Sequence, residues 1–297
     1  MGSVSESLTQ RITLESLASR YGLSLEPAFA APVTVTSLTD DLDDVRPGAL
    51  YMPLDATPTA NLVGRALDRG AYAMLVPAAL RGGLGETDIP VLYGDLTDAQ
   101  VGQLASWVAG NPSESLAMFA VCGPQAAATV TELADFLHVL GNPVTRVSVQ
   151  GSYCLDRRVE LRYPLDALQV QHVLSVGAED GAAAAVICLD DATLKRGSVS
   201  GMSFDVLAVA DDTRLTVPTQ RKIVEYARRN YGFALDDNSH VASRTSDSDA
   251  MARQVDSLDG EDPSAVSCLS TAIAMVMAAG VKRSNIRSAL RVSRELR

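Results

Sequence analysis

Residues 116–140 constrain this chain more than any other stretch. Leu116-Ala117-Met118-Phe119-Ala120-Val121 is an apolar run with the length and bulk of a buried strand. A tight turn follows. From Thr129 to Leu140 apolar residues then recur at Val130, Leu133, Phe136, Leu137 and Leu140, a helical spacing. Strand, short loop and helix in that order bring backbone amides to a helix N-terminus, where phosphate groups bind. A working phosphate loop reads G-x-x-x-x-G-K-S/T, with a lysine on the phosphates and a hydroxyl on Mg²⁺. Here the turn reads Gly123-Pro124-Gln125-Ala126-Ala127-Ala128-Thr129. Aligned on the helix start, the motif's glycines fall on Val121 and Ala126, its lysine on Ala127 and its hydroxyl residue on Ala128. Three alanines supply no charge, no metal ligand and no side-chain hydrogen bond, and Pro124 removes one amide from the cradle. The architecture of a nucleotide site is present and its chemistry is not. No nucleotide, metal or other cofactor is expected on Gly123–Thr129.

Around this centre the apolar pattern alternates between strands and helices. Residues 13–23 form a short amphipathic helix; Val33–Ser37 and Ala49–Met52 read as strands separated by Arg46-Pro47-Gly48. Asn61–Arg69 is a helix, Ala71–Val76 and Ile89–Tyr93 are strands, and Asp98–Ala109 is a helix closed by Gly110-Asn111-Pro112. After that boundary come the strand and loop above. Val144–Val149 is a strand, Asp166–Val176 a helix, and Ala182–Leu189 a continuous apolar strand of the kind buried on both faces of a parallel sheet. Phe204–Val209 is a further strand, and Thr219–Tyr231, Pro263–Ala279 and Lys282–Leu296 are helices. Residues 236–262, rich in Asp and Ser, read as a flexible acidic segment with a short helix around Ala250–Val255. The pattern is α/β with a mainly parallel sheet, in two domains, 1–112 and 113–297.

Composition excludes several function classes. A net charge of −11 over 297 residues argues against nucleic acid and anionic membranes as general partners. No apolar run reaches the roughly 18 residues of a transmembrane span. The first ten residues lack a basic region followed by an apolar core, so no secretion signal is read. Cys122, Cys154, Cys188 and Cys268 are scattered without a C-x-x-C pair, so they read as reduced thiols of a cytoplasmic protein rather than a zinc site. Asp190-Asp191 and Asp211-Asp212 fall where strands should end and read as solvated turns and N-caps, since neighbours in a strand point apart. His138 reads as a helix-surface residue, His172 as half-buried and Trp107 as part of the first-domain core; none of the histidines has a Cys or Ser partner in sequence.

The order of these segments resembles the Mur ligases, the cytoplasmic ATP-dependent enzymes that add amino acids to the UDP-MurNAc peptide, and among them the enzyme adding the third residue. Asp41-Leu42-Asp43-Asp44-Val45-Arg46-Pro47-Gly48-Ala49-Leu50-Tyr51 resembles the family's D-S-R-x-V-x-P-G-D-L-F, and Ala66 with Gly70-Ala71-Tyr72-Ala73 its A-x-x-x-G-A-x-A. Asp166–Gln171 resembles the helix after T-T-P. Leu194, Gly197–Gly201 and Phe204-Asp205-Val206 resemble L-x-x-G-R-V-x-G-x-x-F-D-V, and Pro263–Val281 the helix ending the central domain. The resemblance implies a small N-terminal α/β domain followed by a P-loop-type central domain, with the C-terminal ligase domain absent.

The residues to which the family assigns chemistry are not matched. G-T-N-G-K-T-T has become Gly123–Thr129, and the T-T of T-T-P has become Arg162-Tyr163. E-V-S-S-H has become Cys188-Leu189-Asp190-Asp191-Ala192, and T-N-x-x-x-D-H-L-D has become Ala210–Pro218. The lysine that is carbamylated in the family falls near Arg229-Asn230, where no lysine stands. Phosphoryl transfer rests on positioning and on charge stabilisation by Lys and Mg²⁺, each worth powers of ten in rate. The expectation is a pseudoenzyme whose old ligand volume is taken by Gln125, Arg162 and Tyr163.

The last sixteen residues concentrate Lys282, Arg283, Arg287, Arg291, Arg294 and Arg297 at spacings mostly of three and four. Arg283, Arg287, Arg291 and Arg294 are therefore the candidate partner-binding stripe, facing an acidic protein or the acidic segment of the same or another copy. The resulting expectation is a non-catalytic binding, scaffold or regulatory protein of peptidoglycan synthesis or cell division, with homo-oligomerisation as a further option. The alternative is a sensor that still binds a UDP-MurNAc peptide or a nucleotide without turnover. A ligase with a relocated site comes last.

Overall fold

The computed structural model describes residues 12–54, 57–256 and 263–296. The chain separates into two compact units that divide between Gly110 and Asn111.

In the first unit β1 (Ile12–Thr13) leads into α1 (Leu14–Tyr21), where Thr13 and Ser16 cap each other reciprocally and Gly22, left-handed at φ 66°, ends the helix. Next come β2 (Ser24–Glu26), β3 (Thr34–Val35), β4 (Ser37–Thr39), β5 (Ala49–Tyr51), α2 (Ala60–Asp68), β6 (Ala71–Val76), β7 (Val91–Tyr93) and α3 (Asp98–Val108). The five-stranded sheet runs β2-β7-β6-β5-β4, parallel except for β2. The single strand expected over Val33–Ser37 is two strands. β3 pairs with β1 while β4 pairs with β5, because the Thr36 amide between them turns to the Gly48 carbonyl at 2.9 Å. Trp107, expected in the core, is half-buried, and the Arg20 guanidinium covers its ring at 4.5 Å.

The second unit holds a seven-stranded sheet. Its elements are β8 (Ala117–Cys122), α4 (Ala126–Val139), β9 (Val144–Val147), β10 (Ser152–Cys154), β11 (Arg157–Val159), α5 (Ala167–Glu179), β12 (Ala184–Leu189), β13 (Val206–Val209), α6 (Val217–Tyr231), β14 (His240–Ala242), α7 (Ser246–Asp256), α8 (Pro263–Ala278) and α9 (Arg283–Leu296). The order is β11-β10-β9-β12-β8-β13-β14. The five strands from β9 to β14 are parallel and the β10–β11 hairpin is antiparallel. Period-two alternation divides the central strands between two cores. Phe119, Val121, Val186 and Ala208 pack under α4, α7, α8 and α9, while Ala120, Cys122, Ile187 and Leu207 pack under α5 and α6. Every residue of β12 is buried, as its unbroken apolar sequence required.

Three local expectations are corrected. α4 starts at Ala126 rather than Thr129: Gly123 at φ 101° reverses the chain within one residue, and the three alanines, the best helix formers, become the first turn. The strand from Val144 stops at Val147, and the three-residue strands β10 and β11 add a hairpin too short to show an alternation. The acidic segment is ordered in its described part. β14 pairs with β13 over three residues and α7 follows, burying Ala242, Met251 and Ala252; residues 257–262 lie outside the described residues. Among the described residues no helix is long and apolar enough to cross a membrane.

Candidate functional site

Because β8, β12, β13 and β14 are parallel, their carboxyl ends share one edge of the sheet, where open α/β folds place ligands. The loop after β8 lies there and is closed onto the protein. Ala210, following β13, donates its amide to the Cys122 carbonyl at 2.8 Å and accepts from the Gln125 amide at 3.2 Å. The Ala126 amide goes to the Gly123 carbonyl at 3.1 Å, the Thr129 amide to the Gln125 carbonyl at 3.0 Å, and Pro124 has no amide. A phosphate cradle works by aiming such amides outward. Residues 124–126 aim none, and Ala127 and Ala128 bring neither charge nor oxygen. At the two positions where a phosphate loop carries its lysine and its metal-binding hydroxyl stand Ala127 and Ala128.

The strand-end aspartates are spent on local structure. Asp190 accepts from the Thr193 amide at 2.7 Å and from the Cys188 thiol at 2.9 Å. Asp191 accepts from Asn230 at 2.9 Å and from the Tyr231 hydroxyl at 2.8 Å. Burial, then this bond to Asp191, pushes the Tyr231 phenol above its usual range. Asp211 is held below the usual carboxylate range by the Thr213 amide and then the Thr213 hydroxyl. All four cysteines are buried thiols, and burial pushes that of Cys122 up to about 12. Among the described residues no group of three or more His, Cys, Asp or Glu side chains is placed to hold a metal ion.

The edge also carries a buried ionic cluster that sequence reasoning missed. Asp249 on α7 is 6% exposed at its side chain. Arg214, after β13, reaches its Oδ2 at 2.7 and 3.1 Å; Arg244, after β14, reaches Oδ1 at 3.1 Å; and Ser270 on α8 donates to Oδ1 at 2.5 Å. Arg244 also donates to the Asp211 and Asp212 carbonyls, both at 3.3 Å. Burial pushes the Asp249 carboxyl up, but Ser270, Arg214 and Arg244 outweigh it and hold it below its usual range. With its oxygens saturated, Asp249 has no lone pair to offer a metal. A signal existed in Ser246-x-x-Asp249, which reads as a capping box. The structure instead caps α7 with Thr245 and Ser248, leaving Asp249 to the arginines.

Of the stripe on α9, Arg283 is tied to Asp247 of α7 at 2.9 Å, so one of its cations already meets the acidic segment of its own chain. Arg287 and Arg291 are exposed, above a buried seam of Ile286, Ala289 and Leu290. The side chain of Arg294 and all of Arg297 lie outside the described residues. Tyr163 packs on the α5–α6 core and bonds Ser152 at 2.7 Å, Gln125 is half-buried and Arg162 exposed. His138, His172 and His240 are all exposed; His172 had been expected half-buried, but it falls on the outer side of α5, beside Val173 and Gln171, which point inward.

No protein-family model matches the chain. The UDP-N-acetylmuramoyl-L-alanyl-D-glutamate–2,6-diaminopimelate ligase of Lactiplantibacillus plantarum is 23% identical over 242 residues, 77% of this chain and 48% of that protein. The ligase of the same name from Pseudomonas putida is 30% identical over 188 residues, 61% of this chain and 37% of that protein. This chain is similar in sequence to the Mur ligases. It spans about half the length, or less, of the curated Mur ligases it matches. Among solved structures, a crystal structure of MurF from Acinetobacter baumannii superposes with a TM-score of 0.57 at 14% identity, over 95% of this chain and 68% of that one. A second crystal structure of that protein superposes with a TM-score of 0.56 at 12% identity, over 95% and 67%. These neighbours show the Mur-ligase fold, and the two α/β units with mostly parallel sheets agree with it.

Proposed function

We propose that this Mur-ligase relative is non-catalytic and acts by binding a protein partner in cell-wall synthesis or division. The loop after β8 carries the reading, since Pro124 has no amide and those of Gln125 and Ala126 are bound to Ala210 and Gly123. With no outward amide from residues 124–126, and with Ala127 and Ala128 where a phosphate loop carries its lysine and its metal-binding hydroxyl, the loop has no side chain to neutralise charge on a transferring phosphoryl group. The melting midpoint in millimolar Mg-ATP is expected to match that without it. Binding at a hundred times Kd would add about 2.7 kcal/mol, or several degrees for a chain of this size, and such a rise would overturn the proposal. Calorimetry with a UDP-MurNAc peptide separates the alternative, because saturable binding without turnover would make the protein a sensor instead.

In this reading Arg287 and Arg291 present the partner-facing charge, with Arg283 already paired. Changing both to Glu leaves the seam of Ile286, Ala289 and Leu290 untouched, so the fold should persist. Partner capture by the parent chain is expected to weaken with added salt, and capture by the double variant to fall about tenfold at low salt. Identical partners at identical salt tolerance would reduce the stripe to a solvated helix face.

A further inference from the structure

Helix α6 has an outward face that neither the loop nor the α9 stripe explains. It rests on the sheet through a narrow seam, Gln220, Val224, Ala227 and Tyr231. Along its other side runs an open groove of about 620 Å³, lined, among the described residues, by α6. Val217 and Tyr226 stand in it 70% and 66% exposed. Around them, among the described residues, are Arg221, Lys222 and Arg229, against a single lining carboxylate, Glu225. That carboxylate is already shared, accepting from Arg229 at 3.0 Å and from Arg228 at 3.4 Å. The face is thus positive, on a chain whose net charge is −11. Exposed aromatic and aliphatic groups rimmed by arginine are the composition that interface anchors use.

We propose that the outer face of α6 docks an acidic protein segment. Its apolar side chain would lie on Tyr226 and Val217, and its carboxylates would meet Arg221, Lys222 and Arg229. Charge complementarity selects this occupant. A positive patch on a strongly negative molecule attracts a local acidic segment, while a second copy of the chain or an anionic membrane meets repulsion from the remaining surface. α6 packs on the sheet face opposite to α9, so this surface is separate from the basic stripe. It also stands whether or not the loop after β8 supports catalysis.

A random-peptide phage-display library, selected against the full chain and counter-selected against Tyr226→Ala, tests this directly. The enriched sequences are expected to be acidic with at least one aromatic or aliphatic anchor. A synthetic peptide from that set should bind the full chain saturably by fluorescence anisotropy, and more weakly as salt rises. Binding should drop about tenfold with Tyr226→Ala and with Arg221→Glu plus Arg229→Glu, while Tyr226→Phe and the Arg287→Glu, Arg291→Glu variant retain it. Hydrogen exchange of the unmodified chain should show the peptide protecting α6, a readout independent of how any variant folds. Absence of enrichment, basic or uncharged winners, or peptides indifferent to the α6 substitutions would overturn the proposal. So would phosphatidylglycerol vesicles, or a dimer dissolved by Tyr226→Ala, accounting for all binding to this face.

Discussion

Replacing Asp249 by alanine is expected to remove about 3 kcal/mol of folding stability, the scale for breaking a buried ion cluster from one side. The carboxylate is the hub at which α7, α8 and the segments after β13 and β14 meet. Its loss deprives Arg244, whose side chain is 13% exposed, of its ion-pair partner. Arg214, at 49% exposed, can turn to water, so Arg214→Ala should cost much less. Asp249→Asn keeps the shape and removes the charge, and should fall between them. Urea denaturation at neutral pH measures all three; a loss below about 1 kcal/mol for the alanine variant would contradict the assignment. The pH dependence carries a definite sign. The folded carboxyl titrates below its unfolded value of about 3.9, so its contribution is complete above that pH and is lost as pH falls through the folded value. The gap between parent and Asp249→Asn should therefore be full at pH 7 and shrink below about pH 4.

Gly123→Ala should also cost about 3 kcal/mol, for two additive reasons. At φ 101° an L side chain is strained, a penalty of about 1–3 kcal/mol. A Cβ there would also lie 2.6 Å from the Ala210 carbonyl oxygen. That carbonyl cannot retreat cheaply, because it accepts from Gln125 while its own residue donates to Cys122. Overpacking of this kind adds roughly 1–3 kcal/mol. Gly22→Ala is the control, since Gly22 also has a positive φ but no atom within 4 Å of the added Cβ. It should cost only about 1 kcal/mol, that of a strained left-handed residue alone. Equal losses at the two positions would mean that Ala210 does not brace the loop.

Much of this architecture was legible because burial leaves a periodic trace. β8, β12 and the seam of α8 are apolar runs that no surface element would carry, and their order pointed to a parallel sheet. What escaped was short or distant in sequence. β10 and β11, three residues each, hold too few positions for an alternation. The acidic segment looked unfoldable because its order comes from a few small buried groups and from charges satisfied by partners elsewhere. Asp249 needs Arg214, thirty-five residues upstream. At the loop, the missing lysine and hydroxyl could be read from Ala127 and Ala128 directly. The bond from the Gln125 amide to Ala210 could not, because it depends on how β8 and β13 are brought together. The outer face of α6 was written in Val217, Arg221, Lys222 and Tyr226, but only the helix's packing tells which of its sides is turned to water.

The seven-stranded sheet ends on two strands of three residues each, and both resist extension. β11 presents Arg157 and Arg158, with Arg157 bound to Asp180 at 2.6 Å, and its outward groups are solvated charges. β14 offers only His240, Val241 and Ala242. Brevity, and charge on one margin, are among the ways natural sheets avoid recruiting strands from their neighbours. The seven-stranded sheet accordingly offers little edge for a strand of another copy to extend.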